Sequence, residues 1–171
     1  MRGLVALGTL LVLVSGCATL NLGGRGVNVV VEKPVTLHWG IKKYNPGHLQ
    51  YQHEGIPGNL ATIPRTLTPQ NRPLAAIILG SPLPAGDRVT IHILGVHEQV
   101  NRNGLISTII ATTDVEANFE SLEKRFTGAL GVIEAGLVQL QGSGSRSLGF
   151  RSEKQALQTI QRYRKSYRAD G

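Results

Sequence analysis

The stretch PLAAIILGSPLPAGDRVTIHILGV, residues 73–96, decides how this chain folds. Leu74 to Leu79 is a continuous apolar run of strand length. Pro82-Leu83-Pro84-Ala85-Gly86 then reads as a turn, since proline and glycine interrupt regular structure. From Arg88 to Glu98 a second, longer strand follows. Its Val89, Ile91 and Ile93 alternate with Arg88, Thr90 and His92, the period of two that a half-buried strand requires. Asn101-Arg102-Asn103-Gly104 supplies a hairpin turn, and Leu105 to Ala111 forms the return strand.

Upstream of this block, Val27 to Val31 is nearly all valine and predicts another strand. Pro34, Asn45-Pro46-Gly47 and Pro57-Gly58 punctuate a loop-rich stretch, and Thr62 to Gln70, with two prolines, reads as an exposed insertion. Downstream the period changes. Phe119, Leu122, Phe126 and Leu130 recur at helical spacing, with Glu120, Glu123, Lys124 and Arg125 on other faces. Gly142-Ser143-Gly144-Ser145 predicts a loop. Ser152 is a good N-cap, with Glu153 in the first turn, for a last helix striped by Leu157, Ile160 and Tyr163. Strands first and helices after predict an α+β fold: a small closed OB-like β-barrel of about five strands, flanked by two or three helices.

The N-terminus carries an address. Arg2 precedes an apolar stretch from Leu4 to Val14, and Ser15 and Gly16 are small. This is the pattern of a secretory signal, and the apolar run is shorter than the roughly 20 residues needed to span a bilayer. Val14-Ser15-Gly16-Cys17 resembles the bacterial lipobox, which implies lipidation of Cys17, the chain's one cysteine. Ala18 follows rather than an aspartate, so the resemblance implies an outer-membrane anchor facing the periplasm. The expected organisation is a signal peptide over 1–16, a lipidated tether over 17–26 and one domain over 27–171.

Of 18 basic and 11 acidic residues, the loss of Arg2 leaves 17 against 11, a balance of +6. That charge favours anionic ligands or lipid headgroups. Nucleic acid is not an expected partner outside the cytoplasm. With a single cysteine the chain forms no internal disulfide.

Several segments, in order, resemble the soluble family I inorganic pyrophosphatases. Val27 to Pro34 is similar to the family's opening strand, and Ile56-Pro57-Gly58-Asn59-Leu60 to its Ile-Pro-Gly-Thr-Leu. Pro73 to Val96, closing on Leu94-Gly95-Val96, Ile109-Ile110-Ala111, and Gly149-Phe150 before the last helix extend the likeness over most of residues 27 to 168. The resemblance implies hydrolysis of pyrophosphate with Mg²⁺ ions held by aspartates, because magnesium takes hard oxygen ligands. The family's Asp-Gly-Asp-Pro-x-Asp, however, falls on Gln70-Asn71-Arg72-Pro73-Leu74-Ala75. Two further aspartates fall on Asn101 and Ile106, a lysine on Thr108 and a tyrosine on His53. Only two acids, Asp87 and Glu98, lie between Leu60 and Thr113.

The expectation is therefore a pyrophosphatase-like domain without the metal site: a non-catalytic binding or structural module with no cofactor. The alternative is a Mg²⁺-dependent inorganic diphosphatase with a rearranged site, using Asp114, Glu116 or another acid. A third reading is a tether whose barrel binds peptidoglycan or lipopolysaccharide. Candidate anion-binding residues of the former cleft are Arg72, Arg146 and His53, with Arg88 and Lys42 or Lys43 as further cations. His92 and His97, five residues apart on one strand, are expected on opposite faces, and no histidine pair has zinc-site spacing. Gly142-Ser143-Gly144-Ser145 is neither a nucleophile elbow nor a phosphate loop. The cations Arg162, Arg164, Lys165 and Arg168 suit a helix C-terminus or an anionic headgroup surface.

Overall fold

A computed structural model of the chain describes residues 26–33, 58–125, 128–140 and 144–169. The expected signal segment with Cys17, most of the expected tether, Lys42, Lys43 and His53 lie outside the described residues.

The elements run β1 (Val27–Lys33), β2 (Asn59–Ile63), β3 (Leu74–Leu79), β4 (Arg88–Asn101), β5 (Gly104–Thr112), α1 (Phe119–Arg125), α2 (Ala129–Leu140), β6 (Arg146–Ser152) and α3 (Glu153–Ala169). The sheet order is β1-β2-β3-β5-β4-β6, and β1 also pairs with β4, so the first five strands close a ring. All pairings are antiparallel except β3 with β5. The α+β fold with a closed ring of five strands is the architecture expected, and β6 adds a strand outside the ring.

The apolar run of β3 has a physical purpose. Leu74, Ala76 and Ile78 join the cluster that fills the ring, with Ile91, Ile93 and Val96 of β4 and Ile109 and Ala111 of β5. Ile77 faces the other way, into a second cluster with Leu94, Ile110, Ile133 and Leu137. Alternate side chains point to opposite faces, so a strand buried on both faces reads as an unbroken apolar run. α3 closes the ring with Ala156, Ile160 and Tyr163, while α1 and α2 cover the outer face.

β4 binds three neighbours. Arg88 to Ile91 pair with β1, and Gly95 to Val100 pair with β6 along the same strand edge. The register against β5 shifts between Ile93 and Gly95. At Gly95 a Cβ would strike the carbonyl oxygen of Arg151 and the Phe119 ring, so only glycine admits both β6 and α1.

Two expectations are corrected. The stretch from Thr62 begins inside β2, and Thr66 is buried: its Oγ1 donates to the Ile63 carbonyl at 2.6 Å and accepts from the Leu74 N–H at 2.8 Å. The stripe from Phe119 to Leu130 spans two helices, because Gly128 adopts a positive φ of 84°. Glu123 on α1 then caps α2, accepting from the Gly128 N–H at 2.5 Å and the Leu130 N–H at 3.2 Å. Arg146 to Ser152, to which the sequence assigned no element, form a strand held to β4. Ser152 is the expected cap of α3, with a reciprocal Ser152–Gln155 pair of bonds at 3.4 and 3.2 Å.

Candidate functional site

The loop before β3 folds on itself. The Arg72 carbonyl accepts from both the N–H and the Oγ1 of Thr68, each at 2.9 Å, and the Asn71 N–H donates to the Thr68 carbonyl at 2.9 Å. Asn71 adopts a left-handed φ of 58°, a conformation asparagine tolerates better than most residues. It stands where the resemblance places a glycine. Gln70 ties this loop to the β4–β5 hairpin, its Nε2 donating to the Leu105 carbonyl at 3.2 Å. A carboxylate, which can only accept, could not make that bond. In the hairpin, Asn101 Oδ1 accepts from the Asn103 N–H at 2.8 Å, an Asx turn.

Between loop and hairpin lies an open cleft of about 450 Å³, lined by Pro69, Gln70, Arg72, Asn101, Asn103 and Ile106. Four of these positions, Gln70, Arg72, Asn101 and Ile106, are ones that the sequence assigned to a common site from separate segments. Two more, Ala75 and Thr108, are register partners across β3 and β5. The lining carries one formal charge, the exposed Arg72, and no carboxylate. The local field is therefore positive, and it attracts anions.

The other candidates scatter. Arg146 pairs with Val100 on β4, so it faces the side of the sheet opposite to Gln99 and Asn101 and does not line the cleft. His53 lies outside the described residues. Asp114 and Glu116 follow the far end of β5, about 20 Å along the strand from Ile106 at roughly 3.4 Å per residue. There Asp114 Oδ1 is occupied by the Glu116 N–H at 3.0 Å.

A second constellation was not foreseen. His97 is fully buried; its Nε2 lies 2.9 Å from Ser147 Oγ, which also accepts from the Gly149 N–H at 2.9 Å and donates to Glu134 Oε1 on α2. With the Ser147 proton given to Glu134, His97 Nε2 is the donor and Nδ1 a bare acceptor. The ring packs against Phe150 at 5.0 Å. Burial pushes the His97 pKa below 6.5, against the opposing pull of Glu134 and then Glu98. Gln99, two residues on, is equally buried. Two polar residues at alternate positions directly after the apolar run Ile93 to Val96 were the visible signal; Glu134 and Ser147 gave none.

The histidines also correct an expectation. Because of the shift at Gly95, His92 pairs with Thr112 and His97 with Thr108, which puts both on one face. Four residues of β5 still separate them, about 13 Å, too far to share a metal ion. Among the described residues no three His, Cys, Asp or Glu side chains are grouped to hold one. Nor does the cleft suit Mg²⁺: its amide oxygens include one already used in the hairpin turn, and Arg72 would repel the ion.

No family model matches the chain, and no curated protein matches its sequence. Solved structures do match. An inorganic pyrophosphatase from Helicobacter pylori superposes with a TM-score of 0.65 at 18% identity, over 84% of this chain and 94% of that one. One from Coxiella burnetii gives 0.63 at 17%, over 84% and 98%. The vacuolar soluble pyrophosphatase of Trypanosoma cruzi, solved in complex with PPi, gives 0.66 at 15%, over 98% and 74%. At such identities the likeness establishes the fold, and the chain has the pyrophosphatase-like fold.

Proposed function

We propose that this chain is a lipid-anchored periplasmic lipoprotein whose pyrophosphatase-like domain has lost the metal-binding aspartates and serves as a non-catalytic module that binds an anionic ligand. The observation that carries this reading is the cleft between loop 68–72 and the β4–β5 hairpin, lined by an arginine and amides. An enzyme working through Mg²⁺ gathers carboxylates to hold the ions that would neutralise phosphate and generate hydroxide. Here Arg72 takes the cation's electrostatic place. Its planar guanidinium offers bidentate donors to a phosphate or carboxylate. His53 is the second candidate contact, and Arg146 is not among the residues that line the cleft.

The anchor rests on Val14-Ser15-Gly16-Cys17 with Ala18 after it. Several acyl chains on one cysteine hold a domain stably at a membrane, where a single chain would not. The Gly-rich segment up to Gly26 then serves as a tether.

Phosphate release from pyrophosphate, with and without excess Mg²⁺, tests the reading. No release above a blank is expected; magnesium-dependent turnover overturns it. Titration with inorganic phosphate should show binding that Arg72→Gln weakens. Cys17→Ser should leave the precursor uncut and free of lipid by mass spectrometry.

The alternative, a Mg²⁺-dependent diphosphatase, is motivated by the pyrophosphatases named among the solved structures. Its named acids, Asp114 and Glu116, follow the end of β5 far from the cleft.

A further inference from the structure

Among the described residues, four buried side-chain polar atoms have no hydrogen-bond partner: His97 Nδ1, Gln99 Oε1, Gln99 Nε2 and Ser145 Oγ. All four belong to one neighbourhood. His97 and Gln99 are alternate residues of β4, Ser147 is the register partner of Gln99, and Ser145 enters β6 two residues earlier. Buried polar groups in folded proteins are otherwise paired with protein or ordered water, so this concentration marks a place that water or a ligand completes. The place adjoins the cleft. Gln99 shares a face with Asn101, two residues on, and is the register partner of Ile106 across the β4–β5 ladder; both line the cleft.

We propose that the cleft continues inward to Gln99 and takes a sugar phosphate, with the phosphate on Arg72 and the ring hydroxyls on Gln99, Ser145 and His97. The inference rests on the anion-binding reading above and names its ligand class. The donor and acceptor inventory selects hydroxyls. Gln99 offers one acceptor and an NH₂ donor, His97 Nδ1 is an acceptor once Nε2 is committed to Ser147, and the Ser145 hydroxyl can do either. A hydroxyl both donates and accepts, so a few of them satisfy the whole set. Phosphate oxygens mainly accept and would leave Gln99 Oε1 and His97 Nδ1 unpaired. The cleft, at about 450 Å³, falls within the roughly 300–1,000 Å³ typical of small-molecule sites.

Calorimetric titration of the full chain with glucose 1-phosphate, inorganic phosphate and glucose tests this. Glucose 1-phosphate should bind about tenfold or more tightly than inorganic phosphate, since each buried group it satisfies adds affinity. Gln99→Leu should erase that ratio and keep the phosphate affinity, whereas Arg72→Gln should weaken both ligands. Should Gln99→Leu fail to fold, Ser145→Ala carries the same test by lowering the ratio. Equal affinity for the two phosphates would overturn the inference and leave the anion-binding reading standing, the polar cluster then holding buried water only. Binding of neither would overturn both. A ratio untouched in Gln99→Leu and Ser145→Ala would also overturn the inference.

Discussion

The two halves of β4 each carry fully buried side chains, and those side chains are chemically opposite. From Ile91 to Val96 the strand delivers Ile91, Ile93 and Val96 to the ring interior and Leu94 to the outer cluster. From His97 onward it buries an imidazole and an amide at 0% exposure, with the amide unpaired at both ends. One strand thus passes from a packed core to an unsatisfied polar site within a few residues, and the divide is the bulge at Gly95. Local rules that hold along a fold and fail at one place point to function at that place. Here the failure lies beside the cleft.

The comparison breaks most visibly on the apolar side. Ile91→Ala removes a fully buried side chain from the ring and should cost about 2–5 kcal/mol of stability, read as a fall in the urea midpoint. A change under about 0.5 kcal/mol, typical of a surface site, would mean that the ring is not the core. Next in size is Gly95→Ala. Its Cβ meets the Arg151 backbone and the Phe119 ring, and overpacking of this kind costs about 1–3 kcal/mol. Hydrogen exchange should show the β6 amides losing protection before those of β5. Loss at both together would deny the bulge its role as the divide.

The first half of β4 was legible and the second was not, for a physical reason. Apolar alternation reports burial directly, so Leu74–Leu79 was read to the residue and β4 from its correct start. β2 escaped because Thr62 and the following Pro64 look like loop, although Ile63 is fully buried. β6 escaped because its Gly149 and serines carry no strand signal, and its stability comes from pairing with β4. The cleft was half legible. Position by position likeness placed Gln70, Arg72, Asn101 and Ile106 together, as the fold does. The face occupied by Arg146 was not foreseen, since register depends on a strand that was not expected. Ser147 lies 50 residues from His97 and 13 from Glu134, and only the fold brings three such elements together.

A smaller effect separates the halves by pH. His97 keeps a depressed pKa in the fold because burial outweighs the attraction of Glu134 on α2 and Glu98 on its own strand; β6 contributes Ser147 and Phe150 around it, and its Arg151 pairs with Glu98 at 3.4 Å. Above pH 6.5 His97 is neutral folded or unfolded and contributes no slope. As pH falls below 6.5 the unfolded chain takes the proton first, so stability drops until the folded pKa is reached. The urea midpoint should therefore fall between pH 8 and pH 5.5, and fall less in His97→Leu. An equal fall in both proteins would assign the acid sensitivity to other groups.

The smallest effect is the sharpest test. Gln99 is as buried as Ile91, and if burial alone set the cost of substitution, Gln99→Leu would destabilise comparably. It should not. The native amide is buried without a protein partner, which costs about 1–3 kcal/mol where no water replaces that partner, and leucine of similar size gives up no hydrogen bonds at all. Gln99→Leu should thus leave the urea midpoint unchanged or raise it, by at most that penalty, since water inside the protein would already have repaid part of it. A loss of 2 kcal/mol or more, on the order of a core truncation, would show that Gln99 is paired in solution and that the polar half of β4 is structural. A gain would mean that the chain carries an amide whose cost folding does not require, and that is the signature expected of a group kept for a ligand.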